Sequence, residues 1–183
     1  MRQALLLAFL GLLLGSVQSF GAALSPEERA FFDKHLSSIV EIEPTRVSNP
    51  AVDRVFSAPI YDIKVIIHQG QGSETSHVTV ARVGSDLMEM SNPGSNVELP
   101  NVKKLISPKF KLKADADGQA LQSAIDAIDP IRFRGDEKDK AIRHEGNQWT
   151  LIRGTFFKKH SGYVFTTDAS GQITGVRYSL DIP

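Results

Sequence analysis

The chain contains no cysteine, and this absence excludes several kinds of covalent bond and catalytic group. Among its 183 residues there is no thiol, which excludes disulfide bonds, thiolate nucleophiles and thiolate metal ligands. It also excludes a lipid-modified cysteine at a signal-peptidase site. A chain of this length still buries enough apolar surface for one domain whose core needs no covalent cross-link.

An excess of either charge is also missing. The 21 basic and 21 acidic residues give a formal net charge of zero, whereas proteins that bind nucleic acids or membrane surfaces usually carry a basic excess. We therefore predict no nucleic-acid partner. The chain has no Asn-X-Ser/Thr acceptor either, which favours a bacterial periplasm or exterior over a eukaryotic secretory route.

Long hydrophobic runs are absent except at the start of the chain. Residues 5–14 are apolar and follow a charged beginning at Arg2, but the run is too short to span a membrane as a helix. This pattern is typical of a secretory signal peptide, the alternatives being an N-terminal anchor or a buried helix. We predict a signal peptide over residues 1–23, cleaved near 19–23, and an exported domain over residues 24–183 with no membrane span.

The clearest architecture lies between Trp149 and Ile182. Three runs rich in β-branched and aromatic residues are separated by turn residues, which predicts an antiparallel β-meander. Asp168–Gly171 is expected to form the second turn, and residues 160–162 the first connection. Gly154 and Gly175 fall inside the runs and indicate β-bulges.

The preceding residues predict two helices and further strands. Ser25-Pro26-Glu27-Glu28 has the pattern of a capping box that opens a helix, and Asp117 is expected to cap a second helix that ends at Ile128. Residues 41–59 are predicted to be irregular and residues 103–113 to form a strand with a lysine-lined face. The expected fold is a single α+β domain with a mostly antiparallel sheet of about seven strands, two helices and a C-terminal β-meander.

A hairpin formed by residues 60–68 and 77–83 carries the candidate metal ligands. If paired residue numbers sum to 145, His68 lies opposite His77 on a polar face, and two opposed imidazoles can bind one metal ion. Asp62 lies farther along the same face and is a further candidate carboxylate. The alternative interpretation is two solvated histidines near a hairpin loop.

Other motifs give no support for a cofactor. There is no Gly-X-Ser-X-Gly elbow and no His-Glu-X-X-His pair. Residues 115–118 resemble a calcium loop, but Lys113 occupies the position of its first carboxylate. The tripeptide Arg134-Gly135-Asp136 has the sequence that integrins recognise, yet the charges around it are typical of a solvated loop.

The leading interpretation is a non-enzymatic binding or accessory protein of the periplasm or exterior. Its predicted binding residues are Trp149, Tyr163 and Phe165, on a sheet face that would meet an unknown protein or a small apolar ligand. The alternative is a small hydrolase or metal-dependent enzyme that uses His68 and His77. A flat aromatic patch would favour binding, and a concave pocket containing the histidines would favour an enzyme.

Overall fold

The computed structural model describes residues 21–35, 41–69, 72–90, 97–128, 140–156 and 159–182. Its helices are α1 (Pro26–His35), α2 (Pro50–Val55), α3 (Pro100–Leu105) and α4 (Asp115–Ile128). Its strands are β1 (Gly21–Ala22), β2 (Glu41–Val47), β3 (Ile60–Gln69), β4 (Gly72–Val83), β5 (Asp86–Glu89), β6 (Val97–Glu98), β7 (Ala141–Glu145), β8 (Gln148–Phe156), β9 (Lys159–Thr167) and β10 (Ile173–Ile182). None of the helices in these ranges is long and apolar enough to cross a membrane.

The strands form two antiparallel sheets. The first has the order β1-β2-β3-β4-β5 and the second the order β6-β10-β9-β8-β7. In each half of the chain a helix precedes a four-stranded meander, α1 before β2–β5 and α4 before β7–β10. The predicted α+β class and antiparallel pairing are confirmed, although the described ranges contain more strands and helices than expected.

One hydrophobic core joins the two sheets. It contains Ile60 and Ala81 of the first sheet, the apolar face of β8, β9 and β10, and the buried side chains of α2, α3 and α4. The predicted stripe of α4 is confirmed, because each of its members is buried: Leu121, Ala124, Ile125 and Ile128. The opposite face of the first sheet packs against α1, where Phe32 contacts Tyr61 edge to face at 4.9 Å.

The capping box of α1 is present as predicted. Ser25 Oγ accepts the Glu28 N–H at 3.2 Å, and Glu28 Oε2 accepts the Ser25 N–H at 2.8 Å. Asp117 has a different role from the one expected. It is the third residue of α4, and its Oδ2 accepts the N–H groups of Lys113 and Ala114, both at 3.1 Å. It therefore caps the helix from inside the first turn.

The C-terminal meander is confirmed as β8, β9 and β10. In its second turn Asp168 Oδ1 accepts the N–H groups of Ser170 and Gln172, and Gly171 has a φ of +80°. The pairing shifts register next to Gly154 and Gly175, as expected for bulges. The prediction for residues 160–162 was wrong: they belong to β9, because Phe156 pairs with Lys159 and only two residues separate the strands.

Two other predictions for the first half were wrong. Residues 41–59 form β2 and α2, since Pro44 is accommodated in β2 opposite Ile63 and Asn49 Oδ1 caps α2 through the Ala51 N–H at 2.8 Å. Residues 103–113 are not a strand. They finish α3 at Leu105 and continue as a segment whose alternate side chains, Phe110 and Leu112, enter the core. The tripeptide at 134–136 and most of the predicted signal peptide lie outside the described residues.

Candidate functional site

A histidine and an aspartate are paired on one face of the first sheet. His77 Nδ1 lies 2.8 Å from Asp62 Oδ2, and the two side chains are 32% and 19% exposed. Strand register explains the contact: Asp62 pairs with Thr79 and Lys64 pairs with His77, so that Asp62 and His77 are diagonal neighbours whose side chains project to the same side. The pairing of β3 with β4 therefore positions both side chains of the site.

Polar side chains surround this pair. We call the side chains of Glu43, Asp62, Lys64, His77 and Thr79 the polar face of the first sheet. Lys64 Nζ contacts Glu43 Oε2 at 2.8 Å, and Thr79 Oγ1 donates to the Ile128 carbonyl at 2.7 Å. The C-terminal end of α4 thus lies at the border between the polar face and the core.

The chemistry of the pair follows from its hydrogen bond. An ionised carboxylate can only accept, so the shared proton belongs to His77 Nδ1 and the neutral ring presents Nε2 as an acceptor. Within the described ranges, Nε2 makes no hydrogen bond. A carboxylate that fixes an imidazole in this way is also part of nucleophilic catalytic sites. The hydroxyl of Thr79, on the same face, donates to the Ile128 carbonyl instead. Among the described residues, no hydroxyl is hydrogen-bonded to Nε2.

The predicted pairing of His68 with His77 was wrong. Residue numbers paired between β3 and β4 sum to 141, so His68 pairs with Ser73 and His77 with Lys64. The two histidines are therefore four residues apart along the ladder, about 13 Å at 3.3 Å per residue. The geometry from which the metal site was inferred is absent. Among the described residues there is no group of three or more metal-ligating side chains.

The predicted aromatic binding face is also corrected. Trp149, Tyr163 and Phe165 are 1%, 3% and 0% exposed, and all three belong to the core that joins the sheets. Trp149 lies so close to α4 that a Cβ on Gly118 would be 2.8 Å from its ring. Since α4 covers this face, these side chains stabilise the fold and do not form a surface patch.

A buried arginine marks a second polar cluster between α4 and β8. Arg153 is 2% exposed, and its guanidinium contacts the Ile125 carbonyl and Asp126 Oδ1, each at 3.2 Å. Lys140 reaches the other oxygen of Asp126 at 3.4 Å. Because Arg153 is enclosed by the core, this cluster joins a helix to the sheet and offers little surface to a ligand.

The backbone of β4 gives the first sheet an open edge. β4 runs from Gly72 to Val83, but β5 pairs only with Val80–Val83, and one further bond joins the Met90 N–H to the Thr79 carbonyl at 2.9 Å. In the part of the chain that the structure describes, no strand pairs with residues 73–78 on that side. We call residues 73–78 the β4 edge.

The hydrogen bonds of the hairpin show which backbone groups point outward. The Arg82 N–H bonds to Pro59 on β3, whereas the Thr79 carbonyl bonds to Met90 on the β5 side. Since successive residues of a strand direct their backbone groups to opposite sides, even-numbered residues of β4 bond to β3. Thr75 and His77 therefore direct both N–H and C=O to the open side, and their side chains lie on the face that carries Asp62.

No family model, curated protein or solved structure was found to match this chain.

The Asp62–His77 pair was missed because the register was placed four residues away. A local signal for the correct register does exist in the sequence. Gly70 stands at the first position of a two-residue connection between Gln69 and Gly72, and glycine there is typical of a tight β-hairpin. Gln69 and Gly72 are paired, and that one pairing sets the register of all the other residue pairs in the hairpin.

Proposed function

We propose that this protein is an exported, non-enzymatic binding protein that accepts an extended segment of a partner protein on the β4 edge. The observation that carries the proposal is the outward direction of the N–H and C=O groups of Thr75 and His77. A peptide that adds to such an edge gains main-chain hydrogen bonds for affinity and side-chain contacts for specificity.

The composition of the edge supports this proposal. Natural edge strands usually avoid unwanted pairing by means of lysine, proline or a bulge. Residues 73–78 contain no lysine and no proline, Glu74 is their one charged residue, and their pairing with β3 is regular. Apart from Glu74, the edge therefore lacks the usual features that prevent a strand from pairing with another chain.

Export is supported by the first residues of the chain. Arg2 followed by a short apolar run and small residues is typical of a cleaved secretory signal. The test is to express the full chain in a bacterium, fractionate the cells and determine the mass of the accumulated protein. A protein in the exported fraction that begins near residues 20–24 supports export, and an uncleaved protein retained in the cytosol contradicts it.

Edge binding can be tested with a designed peptide. In a peptide of alternating threonine and valine with a lysine at each end, methylation of the valine nitrogens leaves only the threonine edge able to pair and limits self-association to dimers. We expect this peptide to bind the protein in antiparallel pairing through Thr75 and His77. A peptide methylated on both the valine and the threonine nitrogens should bind at least about tenfold more weakly, because main-chain hydrogen bonds of roughly 1 kcal/mol each are lost.

Two variants of the protein test the same hydrogen bonds by changing β4 instead of the peptide. Thr75→Pro removes one outward N–H but leaves the bonds between β4 and β3 intact, and proline is tolerated on edge strands. Thr75→Val keeps the N–H and removes only the hydroxyl. Binding of the valine-methylated peptide to T75V but not to T75P supports the proposal. Equal binding of the peptide to both variants, or equal binding of the valine-methylated and the fully methylated peptide to the unmodified protein, contradicts it.

A second candidate function is a small hydrolase in which His77 acts as a general base. The 2.8 Å contact of Nδ1 with Asp62 favours it, because the contact leaves Nε2 able to accept a proton from water. The test is hydrolysis of a series of p-nitrophenyl esters by the unmodified protein and by His77→Ala. A rate that falls at least about hundredfold in the variant supports this function, and equal rates exclude His77 as the base.

A further inference from the structure

The side chain of His77 lies beside the backbone groups that an incoming strand would bind. Its N–H and C=O point to the open side of β4, and its ring lies on the polar face with Nδ1 held by Asp62 at 2.8 Å. When two strands pair antiparallel, directly opposed residues have Cβ atoms about 5 Å apart and share a face. The partner residue opposite His77 would therefore face its imidazole ring.

The His77 ring can accept a hydrogen bond from the partner residue opposite it. Because the Nδ1–H donates to Asp62, a neutral ring presents a lone pair at Nε2. The neighbouring charges do not compete for this position, since Lys64 is paired with Glu43 at 2.8 Å. A ring that is about two-thirds covered leaves little room for a long side chain at a separation of about 5 Å.

We infer that the partner segment places a serine or threonine opposite His77, and that its hydroxyl donates to Nε2. This inference rests on the proposed function, because it needs a strand on the β4 edge. A hydroxyl is short enough for the separation of paired residues and is the right donor for a neutral imidazole. Asp62 is a positioning residue here, since it orients the ring and selects the tautomer without touching the partner.

The test is a double-mutant cycle between peptide and protein. Two valine-methylated peptides are compared, one with threonine at every position that faces Thr75 and His77, the other with the nearly isosteric valine there. Because every residue on that face of the peptide is changed, a shift of the peptide by two residues along β4 still places the changed residue opposite His77. Each peptide is measured with the unmodified protein, with His77→Ala and with His144→Ala, the last serving as a control for loss of an exposed histidine on the other sheet.

The threonine peptide should bind the unmodified protein and His144→Ala about fivefold to tenfold more tightly than the valine peptide, as for a single neutral hydrogen bond. The preference should fall in His77→Ala to what the threonine opposite Thr75 contributes, while the valine peptide keeps its affinity because the main-chain bonds remain. An equal preference in all three proteins, or none in any, overturns the inference but leaves edge binding intact. No binding of either peptide to the unmodified protein overturns both proposals.

Asp62→Ala distinguishes orientation of the ring from simple bulk. Alanine offers no acceptor to the Nδ1–H, so this variant no longer holds the imidazole ring in place. We therefore expect it to lose most of the threonine preference although His77 is still present. A full threonine preference in Asp62→Ala shows that Asp62 does not orient the ring and contradicts that part of the inference.

Discussion

The phenol of Tyr61 donates a 2.6 Å hydrogen bond to Glu28 Oε1, which joins α1 to the centre of the first sheet. The same carboxylate closes the capping box with Ser25 and lies 3.7 Å from Arg46. The bond to Tyr61 holds the pKa of Glu28 below its ordinary value of 4.5. Burial, together with the bond to Glu28, raises the pKa of Tyr61 to about 12.

These two shifts predict how stability depends on pH. Glu28 has a lowered pKa in the folded state, so its contribution is present above pH 4.5 and is lost as the pH falls through the folded value. Tyr61 has a raised pKa, so its contribution is present below pH 10 and is lost as the pH rises from there to about 12. The midpoint temperature of thermal unfolding should therefore fall at both low and high pH.

The variants Glu28→Gln and Tyr61→Phe separate the two effects. Glu28→Gln should reduce the loss of stability in acid, and Tyr61→Phe should reduce the loss in alkali. At pH 7 Tyr61→Phe should cost about 1.5–3 kcal/mol, the usual range for a hydrogen bond to a charged group. The measurement is denaturant unfolding from pH 3 to pH 11. If both variants follow the unmodified protein across that range, this contact does not link α1 to the sheet.

Gly162 and Gly175 form a matched pair for testing the second sheet. A Cβ at Gly162 would lie 1.9 Å from the Leu151 carbonyl oxygen on the neighbouring strand, whereas one at Gly175 would have its nearest contact at 3.6 Å. We expect Gly162→Ala to destabilise the protein by about 3 kcal/mol or more, because backbone must move. Gly175→Ala should be nearly neutral. Similar unfolding free energies for the two variants would contradict the pairing of β8 with β9.

His144 and Trp149 provide a spectroscopic probe of the second sheet. Their rings stack with centroids 4.0 Å apart and an interplanar angle of 13°, and Trp149 is the one tryptophan of the chain. Trp149 is 1% exposed, and the imidazole covers one face of its indole ring. His144→Ala should therefore change the emission spectrum of Trp149 while the protein remains folded. An unchanged spectrum in the folded variant would contradict the stacking.

Features determined by local chemistry were predictable from the sequence. The capping box of α1 depends on Ser25 and Glu28 alone, and the turn at Asp168 depends on residues within it, so both could be found without knowing the rest of the fold. The β-bulges beside Gly154 and Gly175 also follow from single residues. In each case the physical cause lies within a few residues of its effect.

Features that depend on distant residues were not predictable. Pairing sums of 141 and 145 put the same side chains on the same faces, because they differ by an even number of residues, so alternation could not decide whether His77 faces His68 or Lys64. Alternation likewise identified Trp149 as apolar-facing but not the α4 layer that covers it. The candidate site followed only once the hairpin register and the extent of β5 were known.

The most direct test of the β4 edge is residue-resolved amide hydrogen exchange of the protein alone, measured by NMR. Bonds to β3 should protect the N–H groups of Ser76 and Val78, whereas the outward N–H groups of Thr75 and His77 should exchange rapidly. Addition of the valine-methylated peptide should then slow exchange at these two residues. Protection of Thr75 and His77 equal to that of Ser76 and Val78, before any peptide is added, would show that the edge is already occupied and would contradict the proposed function.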